Sequence, residues 1–303
     1  MLKKNKTVKK LVHLVEYGCI RFFSAVFTII PLKLVYIIAK LLGIFTYYIL
    51  RIRRNVALTN LKSSLGGELS EKELKRIACE AYINIGLTFI EMLIIHKFRG
   101  HVLDMVDMSD SYILRRTMDI GRGLILVSCH FGSWELNGVA IAASGFPVTV
   151  VVKKQTNPYV DSLINLNRTR LGMNIITHGA SVKHIVRALR EHKVVGLISD
   201  QDAGRDGIFV DFFGRKASTP RGAAQLALKY NAPIVAVMNV RTGNGKYKSI
   251  FKNIDIRADD TVESITQRYT TVMENIIRQH PEQYFWMHRR WKTVLTKDSN
   301  KSK

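Results

Sequence analysis
Apolar positions along this chain fall into two regimes. Between about residues 20 and 50 they crowd together, interrupted by Pro31, Lys33 and Lys40. The run 22–32 is too short to cross a hydrocarbon layer of ~30 Å, which takes about 20 helical residues, whereas 34–50 is nearly long enough. Lys33 and Lys40 are seven apart and share a helical face. Three arrangements fit: helices lying in the membrane interface with snorkelling lysines, one marginal span, or a buried helical hairpin. No small-residue cleavage site clearly follows the run, so a signal peptide is not expected. Residues 55–99 then take helical spacing. Ser70 and Glu73 form a capping box, and Leu74, Ile77, Ala78, Ala81, Tyr82 and Ile85 make one apolar face. Residues 104–120 predict one further helix with Arg115 and Arg116 in solvent.

From Gly123 onward the pattern changes to short apolar runs alternating with helical stretches. This is the signature of an α/β protein with a mixed, mostly parallel sheet flanked by helices. A strand over 124–127 runs through Ser128 and Cys129 to His130, turns at 131–133 and opens a helix near Trp134. Further strands are expected over 147–152, 174–177 and 194–199, with helices over 158–171 and 181–191. Residues 208–213 predict an excursion or hairpin ending at Gly214. Thr219-Pro220 predicts a cap with proline at the first helical position, the helix running to about Tyr230. Strands over 233–240 and 247–256 and an amphipathic helix over 261–279 follow. The organisation expected is a basic, hydrophobic membrane anchor (1–54), an α/β domain (55–292) and a polar, basic, frayed tail (293–303). No internal repeat is evident.

Composition sharpens this picture through charge. The chain has 303 residues, is 47% hydrophobic and carries a formal charge of +22. That balance calls for a polyanionic partner: nucleic acid, anionic lipid or an acidic protein. Residues 1–60 hold eleven Lys or Arg against one acid, Glu16. Charge gathered around an apolar segment favours a membrane over nucleic acid, although basic clusters on both flanks leave orientation undetermined. Cys19, Cys79 and Cys129 have no close pairing, which argues against a disulfide framework or a cysteine zinc site. No metal site or cofactor motif is found: there is no H-E-x-x-H, no Walker-type loop and no G-x-S-x-G elbow.

Candidate chemistry centres on the strand–turn–helix at 123–138. Strand ends of this kind are where α/β proteins place their reactive groups. His130 can accept a proton near neutral pH, and Glu135, in the first helical turn, can reach back to fix its tautomer. The plainer alternative is a loop histidine satisfied by a helix-capping glutamate. Asp200-Gln201-Asp202 ends another strand; in a parallel sheet it faces the same edge as His130, as a second part of one cleft or as an acidic turn. Arg168, near the end of its helix, either holds an anion or is solvated. Arg221, in the loop Thr219-Pro220-Arg221-Gly222, belongs to an anion or headgroup site or to a buried turn. Residues 283–292 mix aromatics with cations, suiting a membrane interface, an RNA surface or a terminal strand that packs Phe285 and Trp291 inward. Cys129 neighbours His130 on a strand and so points to the opposite face, as a buried small residue.

Taken in order, these motifs resemble the lipid A biosynthesis acyltransferases of the lysophospholipid acyltransferase superfamily. The resemblance runs through Arg53-Arg54-Asn55, the HFGSWE block from His130 to Glu135, Asn157-Pro158, Arg168, Asp200-Gln201-Asp202, the 210–214 loop, 219–222 and the terminal 286–292. It implies transfer of an acyl group from an acyl carrier protein or acyl-CoA thioester to a lipid hydroxyl, the acceptor being a lipid A precursor or related anionic glycolipid; the alternatives are acylation of another lipid, such as a mannoside lipid or lysophospholipid, and thioester hydrolysis by the same dyad. His130 is then the general base and Glu135 its orienting partner. Arg168, Asp200, Gln201, Asp202 and Arg221 are expected to bind substrate or stabilise developing charge. No cofactor, metal or nucleic acid is implied. The expected location is the inner membrane, with the catalytic domain facing the cytoplasm.

Overall fold
The computed structural model describes residues 2–295 except 178, 180, 181 and 244, and leaves the side chains of residues 2–5 undescribed. The expected helix start at Ser181 and the tail from residue 296 lie outside the described residues. In chain order the elements are α1 (Leu2–Ile29), α2 (Leu32–Phe45), α3 (Arg54–Leu65), α4 (Glu71–Leu93), α5 (Val102–Met105), β1 (Val106–Asp107), α6 (Tyr112–Met118), β2 (Leu124–Ser128), α7 (Trp134–Ala143), β3 (Val148–Val152), α8 (Pro158–Arg170), β4 (Asn174–Thr177), α9 (Val182–Arg190), β5 (Val194–Ile198), β6 (Ile208–Phe212), β7 (Arg215–Thr219), α10 (Gly222–Tyr230), β8 (Ile234–Gly243), β9 (Lys246–Ile254) and α11 (Val262–Gln279).

The near-continuous apolar runs become the interior of a seven-stranded sheet ordered β1-β9-β8-β2-β5-β3-β4. All neighbouring pairs are parallel except the β8–β9 hairpin. Side chains alternate between two cores. Ile125, Val127, Val195, Ile234, Ala236 and Met238 meet α10 and α11 on one face. Leu124, Leu126, Val194, Val235 and Val237 meet α7, the end of α4 and α2 on the other. The Ser70–Glu73 capping box forms as expected, and Thr261 caps α11.

Three expectations are corrected. Residues 104–120 do not make one helix: α5 ends at Met105 so that Val106 and Asp107 can pair with Tyr247 and Lys248 of β9. Thr219 does not cap a helix; it pairs with Ile208 in the β6–β7 hairpin, and α10 starts only at Gly222. The terminal-strand alternative for residues 283–292 fails as a strand, since only one isolated bridge joins Tyr284 to Phe131; Phe285 and Trp291 do pack, partly buried, against the core, beside the fully buried Trp286.

The N-terminal run is longer than its densest apolar part. It becomes the 28-residue α1 and then, past Pro31, α2 with a π-helical extension at Thr46–Leu50. Two stretches, Lys6–Ile29 and Leu32–Leu50, are long and apolar enough to cross a membrane, and little of either is buried. α2 and its π-helical extension present Val35, Ala39, Gly43 and Tyr47 to the protein, one residue per turn. The crossing with α4 is tight. A Cβ on Gly43 would stand 2.5 Å from the Ile83 Cα, and one on Gly86 2.6 Å from the Ala39 carbonyl oxygen.

Candidate active site
Strand register builds the centre of the site. Ser128 and Ile198 are paired in the parallel β2–β5 ladder, and the Ser199 amide donates to the Ser128 carbonyl at 2.9 Å. Two residues beyond each, His130 and Asp200 emerge side by side at the C-terminal sheet edge. His130 Nδ1 lies 2.8 Å from Asp200 Oδ1. Asp200 is 7% exposed, and an ionised carboxylate only accepts, so Nδ1 carries the proton and Nε2 is left as the basic nitrogen. Trp134 stands edge-on to the imidazole at 5.1 Å between ring centroids, and Phe285 tilts against it at 6.0 Å.

The electrostatics follow from this pairing. Burial pushes His130 towards its neutral form. The charge and hydrogen bond of Asp200, aided by Glu135, outweigh it and hold the imidazole pKa above its ordinary value. Burial likewise pushes Asp200 up, but His130 and then Arg290 bring it below the usual carboxylate range. Cys129 is buried, its thiol is pushed up chiefly by desolvation, and its Sγ contacts the Met238 sulfur at 3.6 Å. It has no character of a nucleophile.

The other sequence candidates separate into those near this pair and those elsewhere. Glu135, expected to orient His130, is taken instead by Arg168: Nε donates to Oε2 at 3.0 Å, and Nη2 closes a two-pronged pair on Oε1. The reason is geometric. The imidazole finds its partner at the end of the adjacent strand, while Glu135, in the first turn of α7, faces α8. Arg168 also donates to Asn165 Oδ1 at 3.2 Å, and both members of the ion pair are largely buried. Gln201 Nε2 lies 3.4 and 3.5 Å from the two imidazole nitrogens, beside the ring rather than in a directed hydrogen bond. Asp202 turns away to accept from the amide and hydroxyl of Thr293 at 3.2 and 2.9 Å, tying down the C-terminal segment. Arg221 is exposed just ahead of α10.

Two features escaped the sequence reading. The first is the C-terminal strap. The Phe285 amide donates to the His130 carbonyl at 3.1 Å. Arg290, 2% exposed, donates to the Ser218 carbonyl and the Thr219 hydroxyl. The aromatic-cationic composition of 283–292 signalled a functional surface, and its place against the histidine came only with the fold. The second is a set of buried polar residues on α4, Thr88 and Glu91 among them, that grips the turn after His130.

Among known proteins the chain falls with the acyltransferases. It belongs to the bacterial lipid A biosynthesis acyltransferase family, which matches residues 3–293. It is 29% identical over 255 residues to the lipid A biosynthesis lauroyltransferase of Escherichia coli, covering 75% of this chain and 83% of that one. The lipid A biosynthesis palmitoleoyltransferase of the same organism is 27% identical over 248 residues, 80% of each chain. A phosphatidylinositol mannoside acyltransferase of Mycolicibacterium smegmatis is 27% identical over 200 residues, 65% of this chain and just under two thirds (64%) of that one.

Proposed function
We propose that this acyltransferase moves a fatty acyl chain from the thioester of an acyl carrier protein or coenzyme A to a hydroxyl of a lipid A precursor or related anionic glycolipid. It does so at the inner membrane, with the sheet edge bearing His130 on the cytoplasmic side. The observation that carries the reading is the His130–Asp200 pair at the C-terminal strand edge of a chain belonging to this family.

His130 Nε2 takes the proton of the acceptor hydroxyl while Asp200 holds Nδ1–H and stabilises the imidazolium. The alkoxide attacks the thioester carbonyl. The tetrahedral intermediate expels the thiolate, which recovers the proton from Nε2–H, so ester and free thiol leave together. No covalent enzyme intermediate is needed. The Arg168–Glu135 pair fixes α8 beside the start of α7 and sets a cation near the developing oxyanion. Gln201 supplies an amide donor beside the ring.

The test is a transfer assay with purified protein, offering acyl carrier protein thioesters of several chain lengths and a phosphorylated glucosamine lipid, beside a mannoside lipid. Ester product that disappears in His130→Ala is the expected result. Free fatty acid without ester would make the protein a thioesterase. The mannoside-acylating relative motivates the second acceptor.

A further inference from the structure
The turn that follows His130 is held by an unusual set of buried polar groups. Glu91, near the C-terminal end of α4, is 2% exposed and far from water. Arg241, at the end of β8, grips it with two prongs, Nη1 on Oε1 and Nη2 on Oε2, and the Tyr247 hydroxyl of β9 also donates to Oε1. Burial works against the guanidinium charge, but Glu91 and its neighbours outweigh it and keep Arg241 protonated. The fourth donor to Glu91 is the Ser133 hydroxyl, at 2.6 Å.

Ser133 belongs to the turn itself, and the turn's other polar groups end in the same network. The Gly132 carbonyl accepts from Thr88 Oγ1 at 2.8 Å, and Thr88 Oγ1 in turn accepts from Arg241. The Gly132 amide donates to the Gln283 carbonyl at 2.9 Å, and the Gln283 side chain pairs with the Arg241 backbone in both directions. The Ser133 carbonyl accepts from Asn239 at 3.1 Å. None of these groups touches the imidazole, yet together they hold Gly132 and Ser133, the second and third residues after His130, in place. A buried ion pair is a poor source of net stability, because desolvation offsets most of its attraction. A forked Arg–carboxylate pair does supply fixed geometry.

We propose that Glu91, with Arg241, is a positioning pair for acyl transfer: through Ser133 and Thr88 it clamps the Gly132–Ser133 turn and so sets where His130 Nε2 stands relative to the acceptor hydroxyl. The inference rests on His130 being the base. A misplacement of about 1 Å at a reacting group costs on the order of 10²-fold in rate. Loosening the clamp therefore lowers kcat and leaves the groups that bind substrate in place.

Ser133→Ala is the sharper variant, because it cuts the turn from Glu91 while Arg241 and Tyr247 still satisfy the carboxylate. Glu91→Gln weakens the clamp at its centre, and His130→Ala is the reference. Steady-state kinetics on the full chain in detergent micelles, with melting followed by circular dichroism, give the readout. The expected result for Ser133→Ala is kcat down by about tenfold or more, KM for both substrates within about twofold, and the pH midpoint of kcat/KM unmoved because Asp200 still holds Nδ1. A folded Ser133→Ala or Glu91→Gln enzyme with wild-type kcat, beside a dead His130→Ala, overturns the positioning role and leaves the base intact. Raised KM at unchanged kcat overturns it too, by assigning the turn to binding. Activity surviving in His130→Ala instead removes the base on which the inference stands. Should Glu91→Gln fail to fold, Ser133→Ala decides alone.

Discussion
At the scale of single residues, the decisive fact is which carboxylate the histidine meets. Asp200 holds Nδ1, and Glu135 acts on the ring only through its charge across a longer distance. The two roles separate under pH. The active form of a general base is neutral, so with His130 in the role proposed for it kcat/KM rises through the His130 pKa, which Asp200 holds above the ordinary 6.5. In Asp200→Asn the desolvation that lowers this pKa stays and the charge that raises it is gone. The acid limb then moves to lower pH, while the rate falls because the tautomer is no longer enforced. Glu135→Gln removes a smaller raising influence and shifts the limb less. A pH–rate profile of the three proteins checks the order, and equal shifts in both variants would make Glu135 an equal partner of the ring. His130→Ala loses about 10²–10⁴-fold in kcat, the usual contribution of a general base, while the protein stays folded by circular dichroism. Glu135 and Arg168 should also be coupled to each other: a double-mutant cycle on stability gives an interaction of about 0.5–3 kcal/mol. Additive single effects would contradict the pair.

At the scale of elements, the turn after β2 shows how strand end and chemistry are joined. Gly132 sits at φ +53°, and an added Cβ would stand 1.8 Å from the Asn239 carbonyl oxygen. Gly132→Ala must therefore displace either the turn or β8. Its expected effect is loss of transfer with His130 and Asp200 unchanged in sequence, accompanied by a lowered melting temperature. Wild-type turnover would mean that the turn tolerates movement the structure does not offer. Elements with local signals were legible from the chain itself. The Ser70–Glu73 box, the strand over 174–177 and the proline-started helix at 158 each carry their own start or stop. Elements decided by distant partners were not. β1 interrupts the expected helix over 104–120 because β9, some 140 residues later, supplies its ladder. The common edge for His130 and Asp200 followed from parallel topology, but their pairing depends on register, which sequence proximity to Glu135 obscured. Asn84, Thr88 and Glu91 follow one another at helical spacing on α4 and have the look of a solvated stripe. Only Arg241 and Tyr247, about 150 residues on, make it an interior network.

At the scale of the molecule, α2 divides fold from surroundings along a single helix. One face, Val35, Ala39 and Gly43, closes against α4 at near backbone contact. The other leaves Leu34, Leu41, Leu42 and Phe45 between 45% and 59% exposed, and α1 adds Phe22 at 63% and Ile29 at 85%. Large apolar side chains exposed in this number along two consecutive helices are the usual mark of a surface with an apolar partner. Exposed Lys33 and Lys40 border it, and in the membrane-bound state proposed above they come within reach of anionic headgroups. The two faces should therefore fail in different ways. Gly43→Val drives a branched side chain into the Ile83 backbone and costs about 1–3 kcal/mol of overpacking, seen as a fall in melting temperature in detergent. Leu41→Asp together with Phe45→Asp leaves that melting temperature within the small range of surface substitutions, about ±0.5 kcal/mol, and weakens flotation with vesicles of anionic phospholipid. Turnover falls with acceptor presented in those vesicles and holds with acceptor dispersed in micelles. Vesicle binding that survives both aspartates would assign the lipid contact to α1 instead, and a double variant that melts as early as Gly43→Val would make this face part of the packed fold.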